Sequence, residues 1–276
     1  MTLRVPYTLT ADAADNYKVS IRLWSDGLSF SGFIPKNKDS FFIDTVLFDG
    51  NLPLSESLKN VFFENEFLSF FYKSIHVVCV SNKFTLVPDV VFSEKHKETL
   101  FDICQKPDKA LSIIPHYIKR LNSMLLFGFD RATCEFLTRS LVSPIFVHSL
   151  SQLLNLWQQE SLMSHLKHVH VVLGNMTTFE IVCFEMGELL FINSFDYETS
   201  NDVLYFIMYV CKQTGFNQIN DCLYLYGDKA KCRSMMPLLN EYIEQVEYLK
   251  PTSTMYNIPA NRDIYPETVA LTECEL

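Results

Sequence analysis

One segment of the chain combines an acid, a glycine and a hydroxyl in a way that could bind a phosphate group. It reads LWSDGLSFSGF from Leu23 to Phe33 and contains Asp26, Gly27 and Ser29. Glycine lets a backbone approach a phosphate closely, and a carboxylate beside it can help to hold Mg²⁺. The same residues also suit an Asp-Gly hairpin turn, which needs no ligand because both residues tolerate positive φ. We therefore expect a phosphate loop or a β-hairpin here, and we prefer the hairpin.

The composition narrows the classes of protein to which the chain can belong. Its 276 residues are 48% hydrophobic and 14% aromatic, which is enough to bury a large core. The net charge of -9 and the absence of a Lys/Arg run argue against a nucleic-acid partner.

No apolar run approaches the roughly 20 residues of a membrane span, and the first residues lack a signal-peptide pattern. The eight cysteines are scattered without a CxxC pair. We expect a soluble, cytoplasmic protein with reduced, buried thiols.

The same order of elements can be read twice along the chain, at an offset of about 146 to 149 residues. Alternating apolar residues predict three strands, then a helix, then a fourth strand. In the first half these are residues 17–24, 29–34, 40–48, 54–71 and 75–80. In the second half they are residues 168–173, 178–184, 189–196, a helix from about 200, and 221–226, before a last helix from about 231. The pattern predicts a mixed α/β sheet that occurs twice.

The segment between the two halves predicts a strand, a helix, a second strand and a second helix. These cover residues 122–129, 130–141, 143–148 and 150–157 and extend the first half. No Gly/Ser linker marks a boundary. We therefore expect one domain over residues 1–163 and a second over residues 164–276.

This order of elements resembles the superfamily of actin, sugar kinases and Hsp70. The stretch NSMLLFGFDRATCEFLTRSLVSPIFVHSLSQLLNLW, followed by HVHVVLGNMTTFEIVCFEMGELLFINSF, is similar to the actin-like proteins that assemble type IV pili and type II secretion systems. The whole chain also looks like an uncharacterised Bacteroidetes family with an actin-like ATPase fold. The resemblance implies a duplicated ribonuclease-H-like fold, with two mixed-sheet domains flanking a cleft that holds ATP and Mg²⁺ in that superfamily.

The resemblance implies which residues would face a nucleotide. Asp26, Gly27 and Ser29 would form the first phosphate loop. The others would be Gly174, Thr177 and Thr178 in the second phosphate loop and Gly227 beside adenosine.

The chain departs from the superfamily pattern in each of these segments. Asp26 is directly adjacent to its glycine, and Trp24 stands where an acid could be. The second loop has no carboxylate, and Asp228 replaces a second glycine, as a helix cap would. Because hydroxyl groups alone do not hold a divalent cation, these departures argue against Mg²⁺-dependent hydrolysis.

Other reactive side chains are interpreted as structural. His165, His168 and His170 lack a complete zinc ligand set, so we expect them on a solvated strand edge. Ser149 lacks the flanking glycines of a nucleophile elbow. The thiols of Cys183, Cys211 and Cys222 lie in apolar runs and are expected to pack as hydrophobic groups.

For two segments, the sequence allows more than one kind of surrounding. Residues 62–72 carry six aromatic rings, so this helix is either buried on two sides or offers some rings to a partner. Residues from Pro251 onward have no regular period, and we expect them to cross the surface or to form an edge strand.

The sequence favours a non-catalytic or weakly nucleotide-binding actin-like protein that acts as an interaction or assembly module with a protein partner. The alternative is an ATPase or small-molecule kinase that uses ATP with Mg²⁺. It would need a further carboxylate, for which Asp49 and Asp196 are the candidates at the ends of the third strands. A binding module for another small molecule in the cleft is a third option. The sequence does not predict the oligomeric state.

Overall fold

A computed structural model describes residues 2–174, 177–251, 253, 255–257 and 264–273. The chain forms two compact units. Unit 1 consists of Met1–Tyr117, Ser123–Ser151 and Thr252–Leu276, and unit 2 consists of Ile118–Asn122 and Gln152–Pro251. The two units are defined by contacts within the fold, and the predicted domain division at residues 163 and 164 stays a prediction.

Unit 1 contains a five-stranded mixed sheet and a three-stranded sheet. Its elements are β1 (Lys18–Trp24), β2 (Gly27–Phe33), β3 (Phe42–Leu47), α1 (Leu54–Glu64), β4 (Ser74–Cys79), β5 (Phe84–Pro88), α2 (Lys97–Asp102), β6 (Leu111–Ile118), β7 (Ser123–Asp130), α3 (Arg131–Ser140) and β8 (Ile145–His148). The larger sheet has the order β3-β2-β1-β4-β8, and the smaller one has the order β5-β7-β6. Strand β1 pairs antiparallel with β2 and parallel with β4.

Unit 2 is built around a second five-stranded sheet. The remaining elements are α4 (Leu150–Ser161), β9 (Lys167–Leu173), β10 (Thr178–Glu185), β11 (Glu188–Asp196), α5 (Ser200–Thr214), β12 (Cys222–Gly227), α6 (Lys229–Asn240), β13 (Gln245–Tyr248) and α7 (Pro266–Glu273). The sheet order is β11-β10-β9-β12-β13, which matches the order in unit 1 strand for strand. Its directions also match, since β9 is antiparallel to β10 and parallel to β12.

Each five-stranded sheet has an apolar face that packs on helices. In unit 2, α5 and α6 bury Ile207 and Leu239 against sheet residues that include Val171 and Leu223. In unit 1, the ring of Phe30 on β2 lies 5.6 Å from that of Phe67, between ring centroids. The central strand β1 is buried over Val19–Trp24, whereas the edge strand β3 is buried at Phe42 and Ile43 and then alternates between half-buried and exposed positions. These patterns follow from the position of each strand within the sheet.

Helices α4 and α7 cover the second faces of the two five-stranded sheets. In chain order, α4 follows β8, the last strand of unit 1, and α7 follows β13, the last strand of unit 2. Most of α4 belongs to unit 2, where the Trp157 ring stacks on His170 at 4.3 Å between centroids. Helix α7 belongs to unit 1, where Leu271 packs with Val78 and Val147. The expectation of a surface segment or edge strand after Pro251 is therefore wrong for residues 266–272, which form a buried helix. Apolar and polar residues of this helix are both buried, so the sequence shows no helical alternation of apolar and polar residues there.

The aromatic segment after β3 is only partly buried. Phe62 is 8% exposed and packs edge-on against Phe136 at 5.2 Å, whereas Phe63 is 92% exposed and Phe71 is 65% exposed. In the described residues, therefore, this segment does not bury all its rings.

No helix in the described part of the chain is long and apolar enough to cross a bilayer.

Candidate functional site

The segment LWSDGLSFSGF forms a tight β-hairpin between β1 and β2. Trp24 pairs with Gly27, so Ser25 and Asp26 form the two-residue turn. Neither turn residue has a positive φ, and Gly27 is the first residue of β2. The hairpin prediction is confirmed, but the predicted Asp-Gly turn is shifted by one residue. Asp26 is exposed at the tip, where its carbonyl oxygen accepts a hydrogen bond of 2.7 Å from the Phe48 backbone N–H.

Gly27 is explained by packing, because there is no room for a side chain at this position. A Cβ atom on Gly27 would lie 2.5 Å from Cζ2 of Trp24 and 2.7 Å from the Val46 carbonyl oxygen. The Trp24 side chain is 2% exposed, and its ring centroid lies 5.9 Å from that of Tyr265. The buried tryptophan therefore fills the space beside the glycine.

Ser29 lies inside the sheet, away from the hairpin tip. It is 2% exposed and pairs with Arg22 on β1. The Arg22 guanidinium lies 3.5 Å from the Tyr265 ring centroid, and its Nε donates to Glu267 Oε1 at 2.5 Å. This side of the sheet therefore has a buried polar layer beneath α7. A phosphate-binding role for Ser29 stays a prediction, and its observed environment is the protein interior.

The second predicted loop joins β9 to β10, and its residues Asn175 and Met176 lie outside the described part of the chain. Thr178 is 7% exposed and pairs with Asp196 across β10 and β11. Thr177 is exposed, and its carbonyl oxygen accepts from the Tyr197 N–H at 2.9 Å. Of the two threonines, only Thr177 presents its side chain to solvent.

Gly174 and Gly227 lie close together in unit 2, at the carboxyl ends of the parallel strands β9 and β12. Gly227 has a φ of 102°, and a Cβ atom there would lie 2.2 Å from the Leu173 carbonyl oxygen. The Asp228 N–H donates to the same oxygen at 2.7 Å. Only glycine tolerates this combination of φ and close approach. Gly227 is therefore required by the junction of β12 with β9, whether or not a nucleotide binds.

Asp228 and Lys231 complete this end of unit 2. The Asp228 carboxylate caps α6 by accepting from the Lys231 N–H at 2.8 Å, as the sequence predicted. The Lys231 ammonium donates to the Gly174 carbonyl oxygen at 2.8 Å and lies 5.5 Å from the centre of the Tyr197 ring. Sequence reasoning did not identify Lys231, although its position three residues after a capping acid places it in the first turn of α6.

The residues of the predicted loops do not fit a magnesium site. Asp26 is the only carboxylate between Leu23 and Phe33, and the loop from Gly174 to Thr178 has none. Asp49 accepts from the Asn51 side chain at 2.7 Å, and Asp196 is exposed at the end of β11. Among the residues that the structure describes, no group of three or more His, Cys, Asp or Glu side chains could hold a metal ion.

The expectation that His168 and His170 lie on a solvated strand edge is wrong. They are 8% and 0% exposed because β9 is the middle strand of its sheet and α4 covers it. His170 Nδ1 lies 3.0 Å from the Tyr226 hydroxyl oxygen. Burial lowers the pKa of His170 well below its usual value, so the imidazole is neutral at pH 7. His165, in contrast, is exposed.

The remaining reactive side chains are held in the core. His148 Nε2 lies 2.8 Å from the Ser81 carbonyl oxygen, and His148 Nδ1 accepts from the Leu150 N–H at 3.1 Å. Both ring nitrogens are thus occupied, and the ring does not activate Ser149. Burial raises the pKa of the Cys183 thiol to about 11 and that of Cys211 to about 12, so these thiols are protonated and act as packing groups.

Comparison with solved structures identifies the class of fold. A crystal structure from Bacteroides thetaiotaomicron VPI-5482, of a protein with an actin-like ATPase fold and unknown function, matches with a TM-score of 0.83 and 32% identity. The match covers 96% of this chain and 98% of that chain. The protein therefore has an actin-like ATPase fold, as its sequence predicted.

The chain belongs to the family described as Protein of unknown function (DUF3822), whose model matches residues 6–246. The curated proteins include no significant match.

Two more distant structures also match along most of the chain. The PilM-PilN type IV pilus biogenesis complex matches with a TM-score of 0.52 and 12% identity over 92% of this chain and 96% of that chain. The cytoplasmic domain of EpsL, from the type II secretion system of Vibrio cholerae, has a TM-score of 0.44 and 8% identity over 94% of this chain and 96% of that chain.

Proposed function

We propose that this protein is a non-catalytic actin-like module that works by binding another protein, and that it binds nucleotide weakly or not at all. The observation that carries the proposal is the packing at the first loop. The Trp24 ring packs against Gly27, where a Cβ atom would lie 2.5 Å from Cζ2 of the tryptophan. Asp26 is left alone at an exposed hairpin tip. A magnesium site needs several oxygen ligands, which this hairpin does not supply.

The second loop supports the same proposal. The Lys231 ammonium donates to the Gly174 carbonyl oxygen at 2.8 Å, so the charged group at the end of β9 is a cation, which cannot bind Mg²⁺ as a carboxylate would. Gly227 has a structural role at the junction of the two strands. Gly27 and Gly227 thus have structural reasons that need no nucleotide, whereas a Cβ atom on Gly174 would have no neighbour within 4 Å.

The proposed interaction role rests on analogy and on exposed apolar side chains. One structure of similar fold is a type IV pilus biogenesis complex of PilM with PilN. In this chain, Phe63 is 92% exposed and Phe71 is 65% exposed in one segment of unit 1. Exposed aromatic rings favour contact with another protein. We further propose a cytoplasmic location and an origin of the two sheets by internal duplication.

The alternative is an ATPase or small-molecule kinase, and one observation favours it. Gly174, Thr177 and Lys231 lie around one end of unit 2, at the first turn of the twelve-residue helix α6. Backbone N–H groups of such a turn, together with a lysine and a hydroxyl, can bind an anion. In this case Asp26 would organise Mg²⁺ and Gly227 would lie beside adenosine.

Phosphate release from Mg-ATP by the purified protein distinguishes the two functions. We expect the wild type and Asp26→Asn to release phosphate no faster than buffer without protein. The control variant Asp12→Asn, which removes an exposed carboxylate outside the hairpin, should behave in the same way. Turnover by the wild type and the control that is lost in Asp26→Asn would establish the enzyme instead.

A further inference from the structure

A small cavity with both polar and apolar lining lies in unit 1 between the sheet and helix α7. Its volume is about 20 Å³. The polar side chains that line it come from both sides: Lys18, Ser20, Ser31 and His76 from the sheet, and Thr268 and Thr272 from α7. A cavity needs about 10–15 Å³ to hold one water molecule, so this one has room for a single water.

Among the residues that the structure describes, two of the lining side chains have a buried polar atom without a hydrogen-bond partner. These atoms are His76 Nε2 and Thr268 Oγ1. His76 is 8% exposed and Thr268 is 2% exposed, so bulk solvent does not reach either side chain freely. Buried polar atoms are almost always paired with protein or with ordered water, because an unpaired one loses its hydration without compensation. Both residues line the same cavity, so one molecule bound there could be a partner for both atoms.

The neighbouring hydroxyl groups supply further hydrogen bonds. Ser20 Oγ and Ser31 Oγ lie 2.7 Å apart, and one of these hydroxyls must use its hydrogen elsewhere when it accepts from the other. Thr272 Oγ1 donates to the Val269 carbonyl oxygen at 2.8 Å and keeps lone pairs that can accept. A buried water typically makes about three hydrogen bonds, and this cavity offers that number.

We propose that one water molecule is bound in this cavity and joins α7 to the sheet through His76, Thr268 and the Ser20–Ser31 pair. Water suits the site because its lining contains both donors and acceptors. Burial, with smaller contributions from Lys18 and His116, lowers the pKa of His76 to about 4, so its imidazole is neutral at pH 7 and the charged side chain of the lining is Lys18. The water fills the space between two polar surfaces that do not pack directly.

A crystal structure of the full chain, grown in sodium bromide and measured at the bromine edge, tests this site. We expect one density peak within about 3.2 Å of His76 Nε2 and Thr268 Oγ1, with no anomalous signal. An anomalous peak would show a halide site, and a cavity without density would show that nothing is bound. Either result overturns the proposal.

Two variants test the ligands of the water. Thr268→Val keeps the shape of the side chain and removes the hydroxyl, so we expect the peak to weaken or disappear. Thr268→Ser keeps the hydroxyl and should keep the peak. As a control, Thr138→Val removes a hydroxyl that donates to the Cys134 carbonyl oxygen outside the cavity, and the peak should remain. A peak unchanged in Thr268→Val would contradict the assignment of this ligand.

Discussion

At the scale of single residues, the packing around Gly27 leaves no room for a side chain. Replacing it by alanine would place a Cβ atom 2.5 Å from Trp24 and 2.7 Å from the Val46 carbonyl oxygen. The ring is buried and the carbonyl belongs to the backbone, so neither can move away freely. We expect Gly27→Ala to lower the free energy of unfolding by roughly 1–3 kcal/mol in urea titrations.

Gly50→Ala is the matched control for this prediction. A Cβ atom on Gly50 has no neighbour within 4 Å, so the free energy of unfolding should change by less than about 0.5 kcal/mol. If both variants were equally stable, the packing account of Gly27 would be wrong, and a ligand-binding reason for the glycine would regain weight.

His148 gives the protein a stability that depends on pH. Burial lowers the pKa of His148 to about 4, against its usual value of 6.5, although a hydrogen bond to the Ser81 carbonyl oxygen acts in the opposite direction. Between these values the unfolded state binds more protons than the folded state. The stability is therefore complete above pH 6.5 and is lost as the pH falls towards 4, at about 1.4 kcal/mol per pH unit for this group.

The measurement is the free energy of unfolding as a function of pH between 4 and 7. His76 should contribute in the same direction, since burial also lowers its pKa to about 4. The slope should become shallower in His148→Gln and stay as in the wild type in His96→Gln, which removes an exposed imidazole. An unchanged slope in His148→Gln would show that His148 is not a neutral core group.

The types of the candidate residues could be read from the sequence, but their surroundings could not. The pattern at Asp26 and Gly27 predicts a hairpin, and a hairpin forms. That Trp24 lies against the glycine depends on Tyr265, which is far away in sequence. Likewise, the burial of His168 and His170 depends on α4, and the sequence alone does not place that helix over β9.

At the scale of elements, helix α7 is anchored by a buried ion pair. Arg22 Nε donates to Glu267 Oε1, and the side chains of both residues are 5% exposed. Removing one partner leaves the other charge buried and uncompensated. We expect Glu267→Ala to lower the free energy of unfolding by about 3–5 kcal/mol, measured by urea titration with tryptophan fluorescence.

A double variant separates the cost of an unpaired charge from the value of the pair. Because two apolar side chains of similar size can replace a buried pair at little cost, Arg22→Met with Glu267→Leu should recover most of the stability. A single variant as stable as the wild type would mean that the ion pair does not hold α7 in place.

Elements with a clear period were predicted well, and short or uniformly buried ones were missed. The three-strand meanders and the helices α3 and α5 occur where their patterns place them. No clear period in the sequence indicated β5, β6 or α2. Strands β5 and β6 form the small sheet together with β7. In β6, six consecutive residues from Leu111 to His116 are half-buried, so no alternation identifies the strand. Helix α7 was missed for the related reason that its described side chains are all buried.

At the scale of the whole molecule, the fold is that of the actin-like ATPases, and the two five-stranded sheets share one strand order. The repeated pattern in the sequence was sufficient to predict this architecture. Function depends on the loops at the ends of the strands and not on the sheets. In those loops Trp24 packs against Gly27, and the Lys231 ammonium donates to the Gly174 carbonyl oxygen.

Calorimetric titration of ATP into the purified protein, with and without Mg²⁺, tests this account most directly. The packing of Trp24 against Gly27 and the lack of a carboxylate between Gly174 and Thr178 predict no measurable heat at millimolar nucleotide. They also predict no difference when Mg²⁺ is added. Micromolar binding that requires Mg²⁺ would contradict the account, because it would show a working nucleotide site in spite of Trp24 and Lys231.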